Sequence, residues 1–200
     1  MNVLIVDDHS VIRDGVRRLL SSNTDISVCE ASSGSDALAI YRSQKPDVVL
    51  LDLSLGSSSG IEVLRRLLGE DAGARVLMFS MYSEPIDVLR ALKAGASGYI
   101  GKGADPAELL AAIRCVADGG RYVEQEIALD RYFDNPLERL TTRELDIVRL
   151  LGEGQSLSVI ADALGVAYRT VANACSVIKA KLGLQRTADL IRLAFEMRQR

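Results

Sequence analysis

Short β-rich runs alternate along the chain with longer stretches in which apolar residues recur every three or four positions. The runs NVLIV (2–6), ISVCE (26–30), DVVLL (47–51), RVLMFS (75–80) and GYI (98–100) have the length and branched content of β-strands. Between them come Val11, Ile12, Gly15, Val16, Leu19 and Leu20, then Ile61, Leu64, Leu67 and Leu68, then Leu89 and Leu92, then Leu109, Ile113 and Val116, each set at helical spacing. Strands that are apolar throughout, instead of alternating, suit a parallel sheet covered by helices on both faces. Residues 1–118 therefore predict a doubly wound α/β domain. Its last helix runs from 106 to about 118, with Asp105 as N-cap, Pro106 in the first helical position, Glu108 closing a capping box and Gly119-Gly120 ending it.

The pattern then changes. RYVEQEIALDRYFDNP is polar, acidic and weakly periodic, and it ends in an Asn135-Pro136 turn signal, so residues 119–136 read as a linker with room for one short helical turn. From Leu137 onward there is no strand signal. Thr141 and Glu144 form a second capping box, with Leu140 and Leu145 spaced as a hydrophobic staple. Helices follow at roughly 142–152, 156–163, 167–182 and 188–198, so residues 137–200 predict a small all-α domain.

Composition narrows the class. Two hundred residues suffice for two modest cores, and 48% apolar with 26% charged residues is the balance of a folded globular chain. No signal peptide is expected at MNVLIVDDHS and no apolar run nears the roughly 20 residues of a membrane helix, so a cytoplasmic protein without membrane partners is expected. Cys29, Cys115 and Cys175 lie far apart with no CxxC pair, which predicts small buried side chains, not a disulfide or zinc framework. Residues 1–118 carry 12 basic and 16 acidic side chains, and residues 137–200 carry 10 and 7. The net charge of −3 thus hides a slightly basic C-terminal part, as nucleic-acid contact favours.

In a doubly wound sheet, ligands sit outside the carboxyl ends of the strands. With the usual strand order, that edge gathers Asp7 and Asp8 after the first strand, Asp52 after the third, Ser80 at the end of the fourth and Lys102 just past the fifth. Crowded carboxylates repel unless a cation offsets them, and Mg2+ with its oxygen ligands is the natural choice. One of the carboxylates can then attack phosphorus and become an aspartyl phosphate, with Lys102 pairing with the phosphoryl oxygens and Ser80 hydrogen-bonding to one of them. His9 reads as an exposed loop residue.

The motifs VLIVDDH, VVLLDLSLGSSSG, VLMFSMY and GYIGK resemble the receiver domain of bacterial two-component response regulators, in order and spacing, across residues 1 to about 118. The resemblance implies a flavodoxin-like doubly wound five-stranded parallel sheet of order 2-1-3-4-5, and phosphorylation of Asp52 by a sensor histidine kinase. It implies that Asp8 binds Mg2+ directly, Asp7 does so through water, Asp52 and the Ser54 carbonyl complete the metal site, and Ser80 and Tyr99 form a switch pair. Where the family usually has proline this chain has Gly56, so a looser loop with altered phosphorylation or dephosphorylation rates is expected.

Residues 137–198 resemble a LuxR-type helix-turn-helix of the NarL/FixJ subfamily, through LTTRELDIVRLLGEG and IADALGVAYRTVANACSVIKAKLG. The resemblance implies that helix 167–182 enters the major groove of promoter DNA. Helical spacing puts Val171, Cys175, Ile178 and Leu182 on its apolar side and turns Arg169, Ala172, Asn173, Ser176 and Lys179 outward. With Thr170, the polar members of that face are the candidate DNA contacts. The subfamily often has lysine at 172, histidine at 174 and a serine cap at 167, all alanine here, and Asn-Lys where Leu157-Ser158 stands. Fewer basic residues predict weaker, less salt-dependent binding that leans on a homodimer. The last helix, with Leu190, Ile191, Leu193, Ala194 and Phe195, is a candidate dimer contact.

The reading is a phosphorylation-controlled transcription regulator and not an enzyme. One alternative is a phosphorylation-gated protein-docking or dimerisation switch whose helices no longer bind DNA. Another is a phosphatase passing through an aspartyl phosphate, although haloacid dehalogenase-type enzymes commonly place an acid two residues after the nucleophile, where Ser54 stands.

Overall fold

In the computed structural model, which describes residues 1–56, 58–81, 84–124 and 136–198, the five apolar runs form parallel strands. The order along the chain is β1 (Asn2–Val6), α1 (Ser10–Ser21), β2 (Ser27–Ala31), α2 (Gly34–Gln44), β3 (Val48–Leu51), β4 (Ser54–Leu55), β5 (Ser58–Ser59), α3 (Gly60–Glu70), β6 (Val76–Ser80), α4 (Pro85–Lys93), β7 (Gly98–Gly101), α5 (Pro106–Ala117) and β8 (Tyr122–Val123). A 3-10 turn (Pro136–Arg139) follows, then α6 (Thr142–Gly152), α7 (Leu157–Ala163), α8 (Tyr168–Leu182) and α9 (Thr187–Arg198). Packing divides the chain into two units: Met1–Ser83 with Ala94–Ile127, and Glu84–Lys93 with Ala128–Arg200.

In the first unit the main sheet runs β2-β1-β3-β6-β7-β8, with β4 and β5 as a separate antiparallel pair. The first five strands of the main sheet have the 2-1-3-4-5 order that the receiver resemblance implies, and β8 is an addition it did not signal. Residue alternation sorts the strand side chains. Val3, Ile5, Val48, Leu50, Leu77, Phe79 and Ile100 share a core with Val16 and Leu20 of α1 and Leu109, Ile113 and Val116 of α5. Leu4, Val6, Val49, Leu51, Met78 and Tyr99, of opposite parity, are equally buried. Burial on both faces explains why successive positions inside these strands are apolar. Each such side chain contributes about 1.5–3 kcal/mol by leaving water.

At the start of α5, Asp105 is the N-cap and Pro106 opens the helix, but the Asp105 side chain makes no capping hydrogen bond. The expected capping box does not form because the Glu108 carboxylate accepts the Tyr122 hydroxyl at 2.8 Å instead. Within the expected linker, Tyr122–Val123 form β8 and Pro136 begins the 3-10 turn, while residues 125–135 of that expectation lie outside the described residues.

The second unit is entirely helical among its described residues. The Thr141/Glu144 capping box is present on both sides, and Leu140 and Leu145 are buried in the same core as Val148, Leu151, Ile160, Val171, Cys175, Ile178, Leu190 and Ala194. Ile86 and Leu89 of α4 belong to that core too. Arg90 on α4 is buried, donating from Nε to Asp146 Oδ1 at 2.8 Å and from Nη1 to Asp87 Oδ1 at 2.8 Å. Glu144 accepts from Lys181 Nζ at 2.6 Å. Burial alone would raise the Glu144 pKa, but this bond and the cap outweigh it and hold the carboxyl below its ordinary value. No helix among the described residues is long and apolar enough to cross a membrane.

Candidate functional site

Parallel pairing makes β1, β3, β6 and β7 end on one edge of the sheet, and the polar residues begin there. Asp7 N donates to Ala31 O at 3.2 Å and Asp52 N donates to Val6 O at 2.9 Å, so both aspartates continue the backbone ladder one step beyond their strands. Lys102 N does the same toward Ser80 O, at 2.8 Å. These bonds give the three side chains rigid roots: Asp7 and Asp52 are 1% and 4% exposed, and the Lys102 side chain is buried. The Lys102 Nζ donates to Asp52 Oδ2 at 2.7 Å and lies 2.7 Å from Asp7 Oδ2, with the Phe79 ring centroid 5.8 Å away. Asp8, next to Asp7, faces solvent.

Burial pushes the Asp52 pKa up; the Lys102 hydrogen bond and the Ser54 N–H at 3.2 Å pull against it, and the Asp7 charge adds to the rise. The net direction is upward. Burial also works against the Lys102 charge, but its hydrogen bond to Asp52 and its pairing with the Asp7 carboxylate outweigh this and hold the ammonium above its ordinary value. The site thus presents a destabilised carboxylate beside a fixed cation, the arrangement of a reactive anion.

Donor atoms of Asp7, Asp8, His9 and Asp52 all lie within 4.8 Å of one another. Three carboxylates so placed fit a hard divalent cation. Asp7 Oδ2 supports that fit: although beside Lys102, it is buried without a hydrogen bond of good geometry and keeps a lone pair for a ligand. His9 is exposed, as a loop residue should be, yet its Nδ1 sits 2.9 Å from Asp8 Oδ1 and 3.3 Å from Asp7 Oδ1.

Ser54 opens the β4–β5 hairpin, in which it pairs with Ser59. The turn between these strands contains Gly56 at φ +56°, beside Asp8 Oδ2. A proline, locked near φ −65°, cannot adopt that turn, so the glycine allows a hairpin closed in a way the family's usual residue excludes. Ser80 is buried at the end of β6 and pairs with Gly101, while Tyr99 is fully buried within β7. The sequence-derived set is therefore gathered at one sheet edge, with Tyr99 inside the sheet behind it.

Sequence reasoning missed Arg13. Its Nη1 donates to the Asp7 carbonyl at 2.7 Å, its Nε pairs with Glu30 at 3.4 Å, and Arg17 holds the other Glu30 oxygen at 2.9 Å. Two arginines four apart on the polar side of α1, with an acid ending the β2 run, were the only available signal. Arg13 thus braces the loop that carries Asp7 and Asp8, and Glu30 ties it to Arg17.

In the helical unit, α7 and α8 are separated by a turn with Gly165 at φ +63°. Val171, Cys175 and Ile178 are buried, and Arg169, Thr170, Asn173 and Ser176 are exposed, matching the expected division of faces. Lys179 is half-buried, with its Nζ 3.3 Å from Thr187 Oγ1. The α8 surface also exposes Tyr168 and Val177, and α9 exposes Ile191 and Phe195. Of the cysteines, Cys175 is buried and Cys29 and Cys115 are partly so.

Comparison with known proteins agrees with both units. Residues 3–114 match the response regulator receiver domain family, and residues 138–194 match the bacterial regulatory proteins, luxR family. The chain is 37% identical over 199 residues to the methanol utilization control regulatory protein MoxX of Paracoccus denitrificans, covering 96% of this chain and 89% of that one. It is 34% identical over 203 residues to the response regulator UvrY of Escherichia coli K12, covering 97% and 93%. RcsB from Salmonella enterica serovar Typhimurium, solved on a promoter with a phosphomimetic, shares the fold at TM-score 0.72 and 21% identity over 97% of this chain and 98% of that one. With a receiver domain followed by a LuxR-type helical domain along nearly its whole length, the chain belongs to the NarL/FixJ family of response regulators.

Proposed function

We propose that Asp52 accepts a phosphoryl group from a sensor histidine kinase and that this controls promoter binding by the helical domain, in the cytoplasm. The single observation that carries the proposal is the Lys102 ammonium within 2.7 Å of both Asp7 and Asp52, beside the three-carboxylate cluster. An Asp52 oxygen attacks phosphorus, the bond to the donor nitrogen breaks, and the donor imidazole leaves with the electron pair. Lys102 offsets charge on the phosphoryl oxygens and Ser80 hydrogen-bonds to one of them, Ser80 and Tyr99 acting as the switch pair. Asp7, Asp8, Asp52 and the Ser54 carbonyl would hold Mg2+, which supplies charge neutralisation between the carboxylates and the incoming phosphate. The protein acts as a switch and not as a turnover enzyme.

The functional division runs 1–118 receiver, 119–136 linker and 137–200 DNA-binding domain. Arg169, Thr170, Asn173, Ser176 and Lys179 contact DNA. Exposed Ile191 and Phe195, one turn apart on α9, are suited to a homodimer contact, and a dimer implies a two-fold DNA site. RcsB, whose fold this chain shares, is bound to a promoter in its structure, which supports the same use here.

Acetyl phosphate with Mg2+ tests the proposal on the full chain. Wild type is expected to gain one phosphoryl group and bind fragmented genomic DNA more tightly, and Asp52→Asn to do neither. Exposed Tyr168 and Val177 on α8 favour a second reading, in which that face docks a protein. Phosphorylation without DNA binding at any salt concentration would select it.

A further inference from the structure

The chain leaving α5 turns back and pairs with β7. Tyr122 and Val123 run parallel to Gly98 and Tyr99, and Tyr122 N donates to Ser97 O at 3.3 Å. One residue further, Glu124 bonds twice. Its N–H donates to Tyr99 O at 3.2 Å, and its carboxylate Oε2 accepts from Gly101 N at 2.7 Å. A main-chain donor and a side-chain acceptor from one residue therefore continue the ladder after β8 has ended. A carboxylate acceptor makes the second bond stronger than a peptide carbonyl would.

Two further features show that the sheet edge is built for this strand. Gly98 has no room for a side chain, since a Cβ there would lie 2.4 Å from Tyr122 O. Tyr122 packs on the sheet core, and its hydroxyl donates to Glu108, which has given up its capping role. Burial and the Glu108 charge push the Tyr122 pKa up to about 12, so the hydroxyl remains a donor across the physiological range. The position of Glu124 is thus set by anchors on β7 and on α5.

The residue after Gly101 is Lys102. Its own N–H is tied to Ser80, and the N–H of the preceding residue, Gly101, is tied to Glu124. We infer that Glu124 is a positioning residue for the phosphoryl-accepting site, fixing the Gly101–Lys102 backbone and through it the Lys102 ammonium between Asp7 and Asp52. The inference rests on Asp52 being the phosphoryl acceptor. Glu124 touches no reacting atom. Without its carboxylate, the buried Gly101 N–H loses its acceptor and the segment holding Lys102 loosens.

The test compares the full-length wild type with Glu124→Ala and Glu124→Gln. Backbone amide exchange is followed at Gly101, with Leu50 as an internal reference, together with the rate of phosphorylation by acetyl phosphate in Mg2+. Glu124→Ala is expected to speed Gly101 exchange by about tenfold and to slow phosphorylation several-fold, with Leu50 exchange unchanged. Glu124→Gln, whose amide oxygen still accepts the N–H, is expected to restore most of both. Unchanged Gly101 exchange in Glu124→Ala would overturn the inference. So would faster exchange at Gly101 and Leu50 alike, which marks a general loss of stability, or a Glu124→Gln protein as slow as Glu124→Ala. A wild type that takes no phosphate sinks the Asp52 reading instead, and Gly101 exchange still decides whether Glu124 holds that backbone.

Discussion

The Asp52 pocket and the outer face of α8 are both polar, but they are held in opposite ways. In the pocket, each side chain grows from a strand end whose backbone is already bonded, and Lys102 binds two carboxylates from two different strands. On α8, Arg169, Asn173 and Ser176 stand in water on a single helix, and Lys179 reaches Thr187. The lesson is one of preorganisation: a buried site positions charges before a ligand arrives, whereas an exposed helix face is ordered by the surface that it meets.

The largest effect is expected at Asp52, in the preorganised pocket. Asp52→Asn is expected to abolish labelling by acetyl phosphate in an intact-mass measurement. The same variant reports on burial. Because the folded Asp52 pKa lies above its ordinary 3.8, wild type loses stability as pH rises from that value through the folded one, and asparagine does not. In metal-free buffer the melting temperature of Asp52→Asn should therefore gain on wild type as pH rises, and an unchanged gap from acid to neutral would contradict it.

Lys102→Met comes next. Two buried carboxylates then face each other without their cation, which costs about 3 kcal/mol in metal-free denaturant titrations. Phosphorylation should slow by about 100-fold. A surface ion pair would cost far less, so a loss under about 1 kcal/mol would mean that the pocket is not preorganised.

On the α8 face the expected effects are smaller and salt-dependent. Arg169→Ala should weaken DNA binding by about tenfold at low salt and reduce the slope of log affinity against log salt by about 1. Melting temperature should stay unchanged, since that side chain is exposed. If stability falls with affinity, the Arg169 side chain supports the fold as well as the DNA contact.

The smallest effect is expected inside the helical unit, at Lys181→Met, with a loss of about 1 kcal/mol at neutral pH. Its partner Glu144 has a depressed pKa, so the contribution is present above pH 4.5 and disappears as pH falls through the folded value. Urea titrations of wild type and variant at two pH values would check this; a loss that persists in acid points to packing and not to the ion pair.

Much of this was legible along the chain because strands and helices write their burial into residue spacing. Runs such as VVLL, apolar at every position, require cover on both faces, and a parallel sheet then brings every strand end to one edge. That was enough to gather Asp7, Asp8, Asp52, Ser80 and Lys102, and local cap chemistry at Thr141 and Glu144 was enough to start α6. What tertiary structure alone decided are choices among partners distant in sequence. Glu108 could cap its own helix or accept from Tyr122, and the fold brought the tyrosine. RYVE looked like linker because a two-residue strand is too short for any period, and its pairing depends on the open edge of β7. Arg13 and Glu124 acquired their roles the same way, through backbone groups of Asp7 and Gly101 that no side-chain pattern reveals. Spacing encodes which faces are buried, whereas the choice of hydrogen-bond partner is made by proximity that exists only once the chain has folded.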